Sequence, residues 1–97
     1  MKITQGYIAE IRDKADIVEL FSSYGVSLKT QGSRDNLMGR CPFHDDRVPS
    51  LNVSRSKKLF HCFGCEESGN VFGLVMKLEN LTFPQAVEKL RRIVLTK

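Results

Sequence analysis

The sequence contains 97 residues, of which 41% are hydrophobic and 27% are charged, so we predict one compact domain over residues 1–97 rather than a disordered chain. No apolar run approaches the roughly 18 residues of a membrane span, and the amino terminus lacks the apolar core of a signal peptide. We therefore predict a cytoplasmic protein with no membrane partner. The formal net charge of +4 arises in residues 25–65, which carry seven basic and three acidic side chains. Such clustering is typical of a surface for an anionic partner such as nucleic acid, and the alternative is a solvated surface that keeps the domain soluble.

The two ends of the chain have helical patterns. Apolar residues near the amino terminus follow helical spacing, which predicts a helical entry over residues 4–24. The same spacing returns after residue 69 and predicts helices over residues 70–94. Each region contains a capping box, formed by Asp16 with Glu19 and by Thr82 with Gln85.

The middle of the chain, residues 25–65, has the pattern of short strands. Leu51 and Val53 alternate with polar residues, and turn residues such as Gly32-Ser33 and Arg55-Ser56 separate the apolar pairs. We predict an antiparallel meander. The whole chain is then an α+β fold, in which N-terminal and C-terminal helices flank a small antiparallel β-sheet.

Four potential metal ligands occur as two closely spaced pairs. Two residues separate Cys41 from His44, two separate Cys62 from Cys65, and the seventeen residues 45–61 separate the pairs. This spacing is typical of a zinc ribbon. Three thiolates and one imidazole form the closed tetrahedral shell of one structural Zn²⁺, which leaves no open position for catalysis. The odd number of cysteines, without an export signal, argues against a disulfide framework.

His61 is the other candidate for the fourth ligand, but it directly precedes Cys62. Adjacent residues of a strand point to opposite faces, so both side chains cannot easily bind one ion. We therefore predict His44 as the ligand and His61 as a packed or nucleic-acid-facing residue.

The ligand pairs belong to a longer motif. It comprises Cys-Pro-Phe-His at 41–44, Pro49-Ser50 between the pairs, Phe-His-Cys-Phe-Gly-Cys at 60–65 and Gly-Asn-Val-Phe at 69–72. This motif resembles the amino-terminal zinc-binding domain of bacterial and phage DNA primases, and the resemblance extends over nearly the whole chain. That family favours glycine where Glu66 stands.

The resemblance implies a zinc ribbon on an antiparallel sheet that binds single-stranded DNA template. Such a domain helps to select the sites at which RNA primers begin during DNA replication. It is non-catalytic by itself, and the catalytic primase domain acts with it in cis or in trans. The replicative helicase binds parts of the full enzyme that lie outside this chain.

Basic and aromatic residues near the ligand pairs are the candidates for DNA contact. Cations can follow the phosphates of a single strand while an aromatic ring stacks on a base. If Leu59 faces the core, Lys58 and Phe60 share the outward face by alternation, whereas the alternative places Phe60 in the core. The predicted nucleic-acid-binding residues are Arg40, Arg47, Arg55, Lys57, Lys58, Phe60 and His61.

Two other functions are compatible with the same metal ligands. One is a free-standing zinc-ribbon adaptor or regulator that binds a protein partner through the helices of residues 70–94. The other is a redox-sensing thiol switch. The sequence contains no glycine-rich phosphate loop, GxSxG turn or HExxH helix, so we predict no catalysis by this chain alone.

Overall fold

The computed structural model describes residues 5–43 and 49–95, and these ranges contain four helices and five strands. In chain order the elements are α1 (Gln5–Lys14), α2 (Ile17–Ser23), β1 (Leu28–Thr30), β2 (Asn36–Gly39), β3 (Leu51–Ser54), β4 (Leu59–Cys62), β5 (Ser68–Gly69), α3 (Val71–Glu79) and α4 (Phe83–Leu95). The predicted α+β class is confirmed: two helices precede the strands along the chain, and two follow them.

The five strands form one sheet in the order β1-β2-β3-β4-β5, and all neighbours are antiparallel. The predicted meander is therefore confirmed. Strand β5 was not predicted, because its two residues are too few to carry an alternating pattern. Since successive residues of a strand point to opposite faces, the register divides the sheet into two distinct faces.

One face of the sheet is exposed or half-buried, and we call it the open face. Its members pair across the strands in two rows. The residues of the open face are Lys29, Met38, Asn52, His61 and Ser68 in the first row, and Asn36, Ser54 and Leu59 in the second. The opposite face is the inner face, where Leu37, Leu51, Val53, Phe60 and Cys62 are buried.

The inner face packs against apolar side chains from the helices. Phe21 of α2 contacts Phe60 edge-on, with ring centroids 5.5 Å apart. The other buried helix residues in this core are Ile11, Ile17, Leu20, Val71, Phe72, Leu74, Val75, Ala86, Val87 and Leu90. The sheet is thus covered by helices from both ends of the chain, which leaves its other face available at the surface.

The predicted orientation of β4 is wrong. Leu59 is 48% exposed, whereas Phe60 is only 2% exposed and lies in the core. Phe60 pairs across the sheet with Val53, a buried residue of the inner face, so the register of β3 and β4 fixes its direction. Moving a strand by one residue in its register exchanges its side chains between the two faces of the sheet. The sequence prediction placed β4 one residue out of register in this way.

Hydrogen-bonded caps define the starts of three helices. Asp16 accepts hydrogen bonds from the backbone N–H groups of Val18 and Glu19, at 2.9 and 3.2 Å. Asn70 caps α3 in the same way, through Phe72 and Gly73. Thr82 and Gln85 form a reciprocal capping box before α4, as predicted. Each cap satisfies N–H groups that the helix cannot pair internally.

A half-buried side-chain network joins the end of α2 to the C-terminal helices. The hydroxyl of Tyr24 and the ammonium of Lys89 both donate hydrogen bonds to the carboxylate of Glu79. Burial, followed by the hydrogen bond to Glu79, raises the pKa of Tyr24 above its ordinary value. The hydrogen bond from Lys89 lowers the pKa of Glu79. These shifts keep Tyr24 protonated and Glu79 ionised, which is the state in which the network forms.

Candidate metal centre and nucleic-acid surface

Three cysteines converge at one end of the sheet. Cys41 follows β2, Cys62 is the last residue of β4, and Cys65 lies in the turn that leads to β5. Their Sγ atoms all lie within 4.8 Å of one another, and the Sγ atoms of Cys41 and Cys65 are 3.7 Å apart. Because β2 and β4 are held in register by β3 between them, the sheet itself brings the two sequence-distant pairs together.

The three thiol groups have the chemistry and the spacing that zinc requires. Zinc–sulfur distances of about 2.3 Å in a tetrahedral site place the sulfur atoms about 3.8 Å apart. Soft thiolate ligands favour zinc over magnesium or calcium. Zinc is therefore the structural cofactor that these residues fit, and Cys41, Cys62 and Cys65 would hold it.

Local hydrogen bonds shape the turns around the sulfur atoms. The backbone N–H of Phe43 donates to Sγ of Cys41 at 3.4 Å, and the N–H of Glu66 donates to the carbonyl of Cys62 at 2.8 Å. Glu66 has a φ of 63°, in the left-handed region that favours glycine. The family preference for glycine at this position thus has a backbone cause.

Burial also sets the protonation of the metal centre. Without a bound metal, the pKa of the Cys41 thiol is raised to about 12. Burial is the main cause, the hydrogen bond from the Phe43 N–H opposes it, and hydrogen bonds with Cys62 and Cys65 act in the same direction as burial. A bound cation favours the thiolate form, so zinc binding must release this proton.

Of the two histidines that the sequence analysis considered, only His61 lies among the described residues. His44, the predicted fourth ligand, and Arg47, a predicted DNA contact, lie outside the described residues. His61 lies on the open face, on the opposite side of β4 from the buried Cys62. Its Nε2 atom is 3.5 Å from a carboxylate oxygen of Glu66.

Two of the predicted DNA-binding cations, Lys58 and Arg55, bind residues at the junction of α1 and α2. The Nζ atom of Lys58 donates to the carbonyls of Asp13 at 2.9 Å and Ala15 at 2.6 Å. Nη1 of Arg55 is 3.1 Å from Oδ2 of Asp16, the cap of α2. The predicted outward position of Lys58 beside Phe60 is therefore wrong, because the β3–β4 turn directs its side chain toward the corner between α1 and α2.

We expect Lys58 to contribute to stability. Lys58→Ala removes two charge-assisted hydrogen bonds and should lower the free energy of unfolding by about 1–2 kcal/mol. Lys58 has a φ of 56°, so Lys58→Gly should be less destabilising than Lys58→Ala by about 1 kcal/mol. Urea unfolding of zinc-loaded protein measures both changes.

Lys57→Ala is the matched control, because this neighbouring lysine is exposed and its change should stay within about 0.5 kcal/mol. Unchanged stability of Lys58→Ala, together with weaker DNA binding, would return Lys58 to the nucleic-acid surface.

Other cations border the open face. Lys29 belongs to its first row, and Arg40 lies directly after β2 at the metal end. Both are exposed, and together with Met38 and Pro49 they line a shallow hollow. Within residues 5–43 and 49–95, neither Lys29 nor Arg40 has an ion-pair partner. Their charges are thus available to an anion.

Sequence reasoning missed an exposed aromatic residue beside the open face. Phe63 is 65% exposed, and its ring centroid lies 4.5 Å from that of His61. Phe63 stands two residues after His61, so the alternation along β4 continues into the turn and points both rings the same way. Strand alternation counted forward from Cys62, which must face the metal, would have placed Phe63 on the opposite face, with His61.

The cysteine cluster at the end of an antiparallel meander defines a zinc ribbon. The family description "CHC2 zinc finger" matches residues 3–96, and the chain belongs to this family. Among solved structures, the chain is similar to the crystal structure of the Aquifex aeolicus primase containing its zinc-binding and RNA polymerase domains. That match has a TM-score of 0.81 and 36% identity, and it covers 91% of this chain and 21% of that one.

Curated relatives point to the same enzyme class. The DNA primase of Staphylococcus aureus (strain COL) is 46% identical over 90 residues, and that of Listeria monocytogenes is 46% identical over 88 residues. These matches cover 93% and 91% of this chain but only 14% of each relative. The chain thus corresponds to the zinc-binding domain of DNA primases. None of the helices in the described ranges is long and apolar enough to cross a membrane.

Proposed function

We propose that this chain binds single-stranded DNA template as the zinc-binding domain of a DNA primase, and that it helps to select the sites at which RNA primers begin. The observation that carries the proposal is family membership combined with two cations beside the open face, Lys29 and Arg40, which have no ion-pair partner among the described residues. A small sheet with cations along it suits a single strand, since the phosphates follow the charges.

The remaining parts of the proposal follow from the same family. The chain makes no primer alone, and a catalytic primase domain, in cis or in trans, supplies polymerisation. The replicative helicase binds regions outside this chain, and the enzyme acts in the cytoplasm. We also propose His44 as the fourth zinc ligand, because three converging cysteines leave one tetrahedral position to fill.

Salt-dependent DNA binding tests the proposal. Three to four phosphate contacts give a log–log salt slope of roughly −2 to −3 for a single strand. We expect anisotropy titrations of the zinc-loaded chain with short single strands to show this slope. Lys29→Ala and Arg40→Ala should weaken binding to all sequences, and each should flatten the slope by about 0.7.

Lys14→Ala is the control, because Lys14 is also exposed but pairs with Glu10 on α1. If binding is absent, or if neither open-face variant differs from this control, the cations serve solubility. The adaptor interpretation, with a protein partner on the C-terminal helices, would then replace ours.

A further inference from the structure

An exposed aromatic pair stands where the open face meets the metal centre. Phe63 and His61 contact each other at an interplanar angle of 65°, so His61 supports one side of the Phe63 ring and leaves the rest exposed. The backbone of Phe63 is fixed, because its N–H donates to the carbonyl of Ser50 at 3.0 Å and cysteines of the metal cluster lie on both sides. An exposed ring held in place loses little conformational entropy when it binds a flat ligand.

The open face connects this pair to the available cations. Its first row runs from Lys29 through Met38, Asn52 and His61 to Ser68. Four strand spacings make this row about 19 Å long. Polar side chains of Asn52 and Ser68 line a hollow beside His61. The cations therefore lie near the Lys29 end of this row, and the pair of Phe63 and His61 lies near the Ser68 end.

Two acidic side chains of the described residues lie near the open face, and each has a hydrogen-bond or ion-pair partner. The carboxylate of Glu66 faces His61, at 3.5 Å. Asp35 accepts hydrogen bonds from Ser54 and Ser56, and those from Ser56 lower its pKa. Lys29 and Arg40 have no ion-pair partner within the described ranges, and Asp35, whose carboxylate accepts hydrogen bonds only from serines, has none either. Exposed cations beside polar side chains suit an anionic ligand better than an apolar peptide.

We infer that Phe63, supported by His61, stacks on one unpaired base of a single DNA strand whose phosphates lie toward Lys29 and Arg40. This inference rests on the proposed function and names the residue that contacts the base. Aromatic stacking combined with a cationic track is the general mode of single-strand recognition. A duplex does not satisfy it, because paired and stacked bases offer no free face to the ring.

Replacing Phe63 separates stacking from charge. We expect Phe63→Ala to raise the Kd for a short single strand about 5- to 150-fold, with an unchanged salt slope. Phe83→Ala is the control for loss of a phenylalanine ring away from the open face, because Phe83 is 37% exposed, begins α4 and contacts Phe72. Zinc content, measured on every variant, verifies that the metal centre is intact.

A tryptophan reporter gives a second readout that does not depend on lost affinity. The chain contains no tryptophan, so Phe63→Trp introduces one fluorophore at the proposed stacking position. Its emission should be quenched when a single strand binds and should respond less to a duplex of the same sequence. Phe83→Trp should show no quenching with either DNA.

The outcomes distinguish the inference from the proposed function. If the unmodified chain binds no single strand, both fail. If the chain binds with the expected salt slope while Phe63→Ala binds equally well and Phe63→Trp is not quenched, only the stacking inference fails.

Discussion

Removal of zinc is expected to unfold at least residues 40–65. Structural zinc contributes on the order of 10–16 kcal/mol of apparent binding free energy in small modules, whereas a whole domain is stable by about 5–15 kcal/mol. Buried Cys41 and Cys62 lie at the ends of β2 and β4, so loss of their common ion releases both strands. Chelation, or Cys62→Ser, should therefore abolish amide protection in β2, β3 and β4.

Hydrogen exchange measured with zinc analysis tests this result and the fourth ligand together. His44→Ala should lose the stoichiometric zinc, and His61→Ala, which changes the open face, should retain one zinc per chain. Full amide protection after complete zinc removal would contradict a structural role for the ion. If His61→Ala lost zinc while His44→Ala retained it, His61 would be the fourth ligand.

Phe60→Ala should destabilise the chain by about 3–5 kcal/mol. Phe60 is buried between the ring of Phe21, which it meets edge-on, and that of Phe43, with both centroid distances at 5.5 Å. Truncation leaves a cavity that fixed strands on either side cannot close, so the lost contacts are not replaced. Urea unfolding at a constant zinc concentration measures the change.

Phe63→Ala is the matched comparison for stability, because the same truncation at an exposed ring should cost no more than about 0.5 kcal/mol. The two phenylalanines, three residues apart, thus have opposite roles. A stable Phe60→Ala variant that binds DNA more weakly would mean that Phe60 faces outward after all.

Local patterns predicted much of the fold. The spacing of the cysteines indicates a turn geometry that both members of a pair share. The cap of Asp16 and the reciprocal capping box of Thr82 with Gln85 involve residues at most three positions apart. Such signals depend on neighbouring residues, so a sequence contains them in full.

Long-range contacts decided what the sequence could not show. Leu59 and Phe60 are both apolar, so strand β4 has no polar–apolar alternation at its start to distinguish its faces. Its direction depends on pairing with β3, and the role of Lys58 depends on carbonyls of residues 13 and 15, 45 and 43 positions earlier. In the sequence, a lysine that is exposed to solvent cannot be told from one whose ammonium binds backbone carbonyls, as that of Lys58 does.

The division of the sheet into two faces has a consequence for divergence among related chains. Residues of the inner face and residues of the open face alternate along the same strands, so a substitution on the open face removes no side chain from the buried core. The metal centre anchors one end of β4, and the turn containing Lys58 anchors the other, so register does not drift when open-face residues change. We therefore expect substitutions at Met38, Asn52 or Ser68, which lie outside the hydrophobic core, to change the surface offered to a ligand more than the scaffold that carries it.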